Sequence, residues 1–445
     1  MGVTNSALKD AFELLKSGEA DKALKIAMLE LDDDPNDRTA MFIVGRAFLD
    51  LKRPGVAEAV LKSAVEKHPG EPILWAYLGV AYNMSYQPEL AEEAMRKALE
   101  LSPRHQLATD AMSLIRVNRG DPDGAIVWAN KSLASRGKDE HFSADDVLQN
   151  SGFAYLLRGD YKDGWPLFNM GMGKDSQRKE RIYGAEGRWD GTKGQTVVAY
   201  GEQGHGDEIA FASVIPDLMK DCNVIVECDH KLGGLFRRSF DCPVYDTRYR
   251  MPEWVKDHKI DARASFTQLM EFYRNRKEDF PGMPYLVPDP ERRKWWKSVL
   301  SGYPGRKIGV AWNGGTPITG HKKRSVSPED MLRLRGEDTF VSLEYKDPGE
   351  CGMLNFSRYL TRDYDDTAAL VAELDHVISV TTAIVDLCGA IGKSCDVLVP
   401  TVPHWRYGLT GDTMPWYKSV RLFRQLPGEP WSKTIRRYAS IHRCG

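Results

Sequence analysis

Several sequence features are scarce or missing in this chain, and each shortage argues against a class of protein. No apolar run approaches the roughly 20 residues of a membrane-spanning helix. The N-terminal stretch MGVTNSALKD holds no apolar signal core, so we expect a protein that is not secreted. The formal net charge is −2, which provides no basic field for binding nucleic acid or an anionic membrane.

Cysteine is also sparse. The seven cysteines are scattered, odd in number and form no C-x-x-C pair, which argues against a structural zinc site and favours a reducing compartment. We therefore expect a cytoplasmic protein. The chain has 445 residues, of which 42% are apolar and 28% charged, enough for two or three globular domains.

The first third of the sequence repeats with a period of 34 residues. Two residue types keep this period, proline at 35, 69 and 103 and alanine at 23, 57, 91 and 125. Two helices per unit, small residues at the helix crossing and proline at the closing turn are typical of tetratricopeptide repeats (TPR). We predict a TPR α-solenoid over residues 1–172. Its concave face could bind a peptide or protein partner, or the repeats could only form a homo-oligomer or support the next domain.

The periodicity changes after residue 194. Residues 173–194 are polar and glycine-rich, which predicts a linker. Six short apolar runs then predict strands, at 196–200, 223–227, 308–312, 339–343, 376–380 and 395–399. Strands that alternate with helices indicate parallel, doubly wound sheets. Prolines in 281–305 indicate a hinge between two Rossmann-like halves, at 195–290 and 291–445. The predicted fold class of the whole chain is therefore α + α/β.

Glycine and polar residues follow the first predicted strand, and ligands in such folds bind at the carboxyl ends of strands. Gln203, Gly204, His205 and Gly206 are candidates for an acceptor cleft, because glycine lets a ligand approach the backbone closely. Asp207, at a helix start, could take a proton from an acceptor hydroxyl. The alternative is a structural carboxylate that caps the helix.

A strand, a hydroxyl pair and a helix start follow one another in residues 378–392. Thr381 and Thr382 stand between the two predicted elements. Free backbone N–H groups and the positive end of the helix dipole converge there and the hydroxyls add donors, which is the geometry of an anion site. Threonine is also a common helix cap with no ligand, so the pattern gains weight from its surroundings.

Two further strand ends carry candidate donor contacts. Asn313 and Gly314 follow the third predicted strand and precede a cationic cluster that includes Lys322 and Lys323. A glycine turn followed by cations could clamp a diphosphate, or the cluster could be a solvated basic loop. Glu344 follows the fourth predicted strand and is a candidate for a ribose or base contact.

With these residues assembled, residues 189–434 resemble the nucleotide-sugar glycosyltransferases of the two-Rossmann (GT-B) type. The chain is more similar to bacterial proteins in which TPR repeats precede a heptosyltransferase-like domain, related in layout to the O-linked GlcNAc transferases. The matching motifs are GEQGHGD at 201–207, GVAWNG at 309–314, RS at 324–325, FVSL at 340–343, DDTAAL at 365–370, VISVTTA at 377–383, GAIGK at 389–393, HWR at 404–406, PWY at 415–417 and RLFRQ at 421–425.

The resemblance implies an inverting glycosyltransferase with no cofactor beyond its nucleoside-diphosphate sugar. Thr381 and Thr382 would hold the donor diphosphate, Lys322 or Lys323 would compensate its charge, and Asp207 would be the catalytic base. No metal would be needed, because cationic side chains and a helix dipole stabilise the leaving diphosphate. The acceptor would be a hydroxyl on a protein or glycan recruited by the repeats.

Two features depart from the family pattern. Asp386 stands where heptosyltransferase-like relatives usually carry histidine, and the loop 316–323 has an unusual sequence. A carboxylate at 386 would repel phosphate but could bind sugar or ribose hydroxyls, or it could be a helix residue with no ligand. The alternative function is therefore a TPR scaffold or binding module whose glycosyltransferase domain is catalytically degenerate.

Overall fold

The computed structural model describes residues 6–136, 144–173, 178–248, 252–315, 320–360 and 363–442. The chain divides into two compact units, Met1–Ala154 with Pro317–Gly320, and Tyr155–Thr316 with His321–Gly445. The second unit thus begins before the boundary expected at 172. Within the described ranges, no helix combines the length and the apolar character needed to cross a membrane.

In its described part the first unit is built of helices. They are α1 (Ser6–Lys16), α2 (Ala20–Asp33), α3 (Arg38–Asp50), α4 (Pro54–Lys67), α5 (Pro72–Met84), α6 (Pro88–Leu101), α7 (Gln106–Asn118), α8 (Pro122–Ser135) and most of α9 (Ala144–Arg158). Proline is the first residue of α4, α5, α6 and α8, where its missing N–H leaves no helical hydrogen bond unmade.

Gly45 and Gly79, which are also 34 residues apart, lie where helices cross. A Cβ added to Gly45 would stand 2.6 Å from Leu61 Cγ, and a Cβ added to Gly79 would stand 2.8 Å from Met95 Cε and 3.1 Å from the Ala91 carbonyl oxygen. Helices α3 and α4, and likewise α5 and α6, therefore approach too closely for a side chain at either glycine. This packing gives the predicted helix pairs their physical basis.

The second unit contains two sheets with helices between most of their strands. The helices are α10 (Tyr161–Asn169), α11 (His205–Phe211), α12 (Ile215–Asp221), α13 (Gly233–Ser239), α14 (Phe266–Tyr273), α15 (Pro290–Ser301), α16 (His321–Arg324), α17 (Pro328–Leu332), α18 (Tyr364–Glu373), α19 (Ala383–Ile391) and α20 (Trp431–His442). The strands are β1 (Gly187–Arg188), β2 (Thr196–Tyr200), β3 (Asn223–Glu227), β4 (Val244–Tyr245), β5 (Ala262–Ser265), β6 (Lys307–Ala311), β7 (Thr339–Ser342), β8 (Leu354–Asn355), β9 (His376–Val380), β10 (Cys395–Val399), β11 (Thr413–Met414) and β12 (Tyr417–Arg424).

The first sheet has the strand order β1-β5-β2-β3-β4, and its paired strands are parallel. The second sheet has the order β11-β12-β10-β9-β6-β7-β8, in which β11 runs antiparallel to β12. Strands β2, β3, β6, β9 and β10 are buried over almost their whole length, as expected for parallel strands covered on both faces. All six predicted strands are present, with bounds that differ by at most one residue, which confirms a mixed α/β region after the helices.

Residues 178–189 lie against the first sheet, which differs from the linker expected at 173–194. Strand β1 pairs with β5. Arg181 makes two hydrogen bonds of 2.8 Å to the carboxylate of the fully buried Glu227, and Arg178 is itself buried. The segment packs on the sheet through arginines that pair with buried carboxylates, and this makes its sequence polar. A linker is polar as well, so polarity alone cannot tell a packed segment of this kind from a linker.

Helix α10 continues the repeat pattern in the sequence but belongs to the second unit. Trp165 is fully buried. Its ring lies 6.2 Å from that of Phe211, 5.5 Å from that of Trp405 and 6.4 Å from that of Trp416, measured between centroids. Its indole N–H donates to the Arg274 carbonyl oxygen at 2.7 Å. Since these neighbours come from the layers of both sheets, α10 is part of the α/β core.

Replacing Trp165 by alanine should destabilise the second unit more than replacing a surface tryptophan. Loss of a fully buried indole costs about 3–5 kcal/mol. Trp295 is 46% exposed, and its loss should cost at most about 1 kcal/mol. Urea unfolding of Trp165→Ala, Trp295→Ala and the parent protein, followed by circular dichroism, compares the two. Equal losses would contradict the place of α10 in the core.

Candidate functional site

Two helices that follow strand ends in different sheets meet in the second unit. Helix α11 follows β2 of the first sheet, and α19 follows β9 of the second. A Cβ added to Gly206 would stand 3.0 Å from Ala383 Cα and 3.0 Å from Asp386 Oδ2. Because the α19 backbone is this close, glycine at 206 is what allows the two helix starts to touch.

A buried guanidinium lies between two carboxylates at this contact. Arg406 donates from Nη1 to Asp207 Oδ1 and from Nη2 to Asp386 Oδ2, the second bond being 3.3 Å long. The side chain of Arg406 is 8% exposed, that of Asp386 1% and that of Asp207 29%. One cation therefore bridges a carboxylate on α11 and a carboxylate on α19. The sequence patterns assign no role to Arg406, although it belongs to the HWR motif at 404–406.

Burial and the shared cation separate the pKa values of the two carboxyls. Burial raises the pKa of Asp386 to about 7, against the attraction of Arg406. Burial acts on Asp207 too, but the Arg406 cation outweighs it and holds the pKa of this carboxyl below its ordinary value. At neutral pH Asp207 is therefore ionised, whereas Asp386 releases its proton at a much higher pH than an ordinary aspartate does. His404 is uncharged there, because burial lowers its pKa to about 3.

The start of α19 also carries the predicted hydroxyl pair. Thr382 is the N-cap residue, and its side chain makes no capping hydrogen bond. Thr381 is 1% exposed. Its Oγ1 accepts from Arg324 Nε at 3.0 Å, and its carbonyl oxygen accepts from Arg324 Nη2. Backbone N–H groups, a hydroxyl and a guanidinium thus meet at one helix start, where together they could hold an anion.

The predicted glycine turn packs on the same place. A Cβ added to Gly314 would stand 2.8 Å from the Arg324 carbonyl oxygen and 3.2 Å from the Thr381 carbonyl oxygen, so this turn needs glycine. The Gly314 N–H donates to Ser325 Oγ at 3.0 Å. The turn that includes Asn313 is therefore fixed beside the helix start, within the second sheet's half of the unit.

Three predicted donor contacts take other positions. Glu344 accepts from the backbone N–H groups of Trp312 and Asn313 at 2.8 and 2.9 Å through one oxygen, so this carboxylate orders the turn. Lys322 and Lys323 are exposed on α16. The cation at the helix start is instead the neighbouring arginine described above. Within loop 316–323, residues 316–319 lie outside the described part of the chain.

The predicted acceptor residues all follow β2, at the carboxyl end of the first sheet. Gly204 is the N-cap residue of α11. His205 Nε2 lies 3.1 Å from Asp229 Oδ1, and Gln203 Nε2 donates to Glu202 Oε1 at 3.1 Å. The structure therefore brings the predicted base and the predicted acceptor residues to one helix start, and the helix that bears the hydroxyl pair touches it.

Gly206→Ala should force α11 and α19 apart. The added methyl group meets the α19 backbone at 3.0 Å, and overpacking of this kind typically costs about 1–3 kcal/mol. Gly204→Ala is the matched control, because a Cβ there would meet Asp207 Oδ2 at an ordinary 3.4 Å. The free energy of urea unfolding measures both variants. A Gly206→Ala protein as stable as the control would show that the helices are not in tight contact.

Comparisons with known proteins identify the repeats. Residues 9–72 and 45–106 match the tetratricopeptide repeat family model, so the N-terminal region carries tetratricopeptide repeats, as the 34-residue period predicts. The protein FlbA of Caulobacter vibrioides is 26% identical to this chain over an alignment that covers 92% of the chain and 73% of FlbA.

Two solved structures are similar to about a third of the chain. The crystal structure of MamA is 22% identical, covers 36% of this chain and 91% of the MamA chain, and has a TM-score of 0.30. A thermophilic TPR protein from Thermus thermophilus is 20% identical, covers 36% of this chain and 86% of its own, and has a TM-score of 0.33.

Proposed function

We propose that the protein is an inverting, metal-independent glycosyltransferase that uses a nucleoside-diphosphate sugar. The two sheets would be the two halves of a GT-B fold, with the donor on the second half and the acceptor on the first. The observation that carries the proposal is the contact between the starts of α11 and α19. The start of α19 carries Arg324 beside it and the Thr382 hydroxyl, which makes no capping hydrogen bond. The start of α11 carries the ionised carboxylate of Asp207. Together they supply an anion site and a base.

The donor diphosphate would lie at the start of α19. The first-turn N–H groups, the Thr382 hydroxyl and the Arg324 guanidinium would donate hydrogen bonds to it. The turn at Gly314 would bring further backbone close to the same place. Because these groups would stabilise the negative charge that develops on the leaving diphosphate, the reaction would not require a divalent cation.

Asp207 would act as the general base. Its carboxylate would take the proton of an acceptor hydroxyl while the hydroxyl oxygen attacks the anomeric carbon. The bond from that carbon to the diphosphate oxygen would break, and its electron pair would leave with the nucleoside diphosphate. One displacement of this kind inverts the anomeric configuration. The tetratricopeptide repeats would recruit the protein or other large molecule that carries the hydroxyl.

A repeat scaffold with a catalytically degenerate transferase domain is the second candidate. The ion pair between Asp207 and Arg406 favours it, because a carboxylate that is engaged by a buried cation is a weaker base. The carboxylate at Asp386, where heptosyltransferase-like relatives usually carry histidine, favours it as well. In this case the α/β unit would bind a nucleotide or a partner without turnover.

Calorimetric titration with UDP, GDP, ADP, CMP and dTDP, without divalent metal, tests the donor site. We expect one nucleoside diphosphate to bind selectively, with an affinity that a chelator leaves unchanged. Thr382→Val should weaken this binding about tenfold, since it removes a hydrogen bond to a charged group.

The control for that variant is Thr192→Val, at an exposed position before β2, which should bind as the parent protein does. If none of the five nucleotides binds, the transferase proposal fails and the scaffold becomes the better account. If Thr382→Val binds as tightly as the control, the diphosphate does not lie at the start of α19.

Asp207→Asn should lower turnover by about 10²–10⁴-fold, the usual contribution of a general base. Nucleotide affinity should stay nearly the same, because the donor site lies on the other helix. Steady-state rates and calorimetric titrations of the same preparations separate the two effects. Asp241→Asn, at an exposed position, controls for the loss of a carboxylate. Full turnover by Asp207→Asn would mean that another group takes the proton.

A further inference from the structure

We infer that Arg406 is a positioning residue for Asp207, and that the protonation of Asp386 decides how much of the Arg406 guanidinium Asp207 receives. The consequence for catalysis rests on the proposed function, whereas the charge coupling among the three side chains does not. Nothing in the sequence motifs alone assigns these roles, because the three residues come from three separate segments of the chain.

The geometry makes the two carboxylates compete. Two nitrogens of one guanidinium face different carboxylates, one on each of two helices that touch. Asp386 Oδ1 is buried, and no hydrogen-bond partner in the described part of the chain reaches it. Within that part, the ionised form of Asp386 therefore depends on Arg406 for its hydrogen bonding, and a proton on Asp386 releases the cation to Asp207.

Arg406 itself is held firmly. Its guanidinium carbon lies 5.8 Å from the ring centroid of Phe211. The preceding residue, Trp405, stacks on Phe211 at 6.3 Å and packs edge-on against Trp165 at 5.5 Å, measured between ring centroids. A planar cation that is anchored in this way can fix the orientation of a carboxylate that accepts from it.

Other titratable groups near the cluster do not change their charge in the neutral range. Arg324 faces Asp386, Arg178 faces Asp207, and His404 beside Asp207 is uncharged, as described above. The remaining titratable groups that Asp386 influences are four tyrosines and a thiol: Tyr285, Tyr364, Tyr407, Tyr417 and Cys395.

Those five groups are neutral under the same conditions. Burial raises the pKa of each tyrosine hydroxyl, and a hydrogen bond with Cys388 together with burial raises the pKa of the thiol. Asp386 is therefore the member of the cluster that titrates near pH 7. When Asp386 is ionised, Asp207 shares its cation and is a stronger base. When Asp386 is protonated, Asp207 has the whole cation and is held in one orientation.

A measurement without ligand tests whether Asp386 holds a proton near neutral pH, as the coupling requires. Burial raises the pKa of Asp386 from its ordinary 3.8 to about 7. Proton uptake by Asp386 thus stabilises the fold at low pH, and this stabilisation is lost as the pH rises through about 7. The Asp386→Asn variant has no such proton, so its stability does not fall in this way as the pH rises. The Tm of Asp386→Asn minus that of the full-length parent should therefore be more positive at pH 8 than at pH 5, by at least roughly 2 °C.

Glu208 also titrates in this range, because burial raises its pKa to about 8, but it is present in both proteins and cancels from the difference. A Tm difference that is the same at both pH values would overturn the proposal. This outcome concerns the resting protein, so it is independent of whether the protein transfers sugar.

A second set of variants tests the pairing of Arg406 with Asp207. Arg406→Met alone would leave the buried Asp386 and the half-buried Asp207 without their cation and could fail to fold, so the pairing is measured in the Asp386→Asn background. There, Asp207→Asn should lower Tm, since it leaves Arg406 unpaired. With Arg406→Met also present, Asp207→Asn should lower Tm much less, since the ion pair that it would break is already gone. An equal loss of Tm in both backgrounds would overturn the pairing.

Turnover separates positioning from a merely structural role. The double variant Arg406→Met with Asp386→Asn deprives Asp207 of its cation without leaving a second carboxylate unpaired. The acid limb of its kcat/KM profile should move up by at least one pH unit relative to the parent, which is a tenfold loss at a pH below that limb. Arg406→Lys with Asp386→Asn should move it back. An acid limb that does not move would show that Arg406 does not act on Asp207.

The two hypotheses fail in different ways. If the protein transfers no sugar but the Tm differences follow the expected pattern, the proposed function fails while the charge coupling stands. If turnover is present and the Tm differences do not depend on pH, the coupling fails while the proposed function stands.

Discussion

Arg406 joins a carboxylate on α11 to a carboxylate on α19, and through these helices it joins the two sheets of the α/β unit. The helices touch at Gly206, so the charges between them are compensated by protein groups more than by water. Two carboxylates and one guanidinium leave one negative charge in excess. The raised pKa of Asp386 removes that excess, because its carboxyl holds a proton up to about pH 7. The close packing of two helices thus determines which carboxyl of the candidate site is protonated.

Helix α19 connects that cluster to the candidate anion site. Thr382 is the N-cap residue of α19 and Asp386 lies in its first turn, so the two are about one turn apart. A diphosphate at Thr382 would add negative charge near Asp386 and favour its protonated form. The guanidinium of Arg406 would then pass to Asp207. Binding of the donor and the orientation of Asp207 would be linked through a single helical turn, with no movement of the sheets.

Sequence patterns predicted the elements that depend on neighbouring residues in the chain. They did not predict features that depend on partners far away in the sequence. Strand β9 and its neighbours are continuous apolar runs, which parallel sheets require on both faces. Strand β5 has no such run, because it contains Arg263. A strand can hold this arginine because Glu180, from a distant segment, pairs with its charge at 3.2 Å. Arg406 and Asp207 are 199 residues apart, so their pairing has no local pattern. The sequence of residues 322–324 likewise does not show which of its three cations contacts the start of α19.

Helix α10 has a place in the order of synthesis that differs from its place in the fold. Trp165 leaves the ribosome with the repeats, yet the rings that bury it include Trp405 and Trp416, near the other end of the chain. The upstream repeats can pack as soon as their neighbours exist, since each contacts the next. The last helix must wait, with its indole uncovered, until nearly the whole α/β region has been made. Until then its indole is an apolar surface that other exposed segments of the nascent chain can contact.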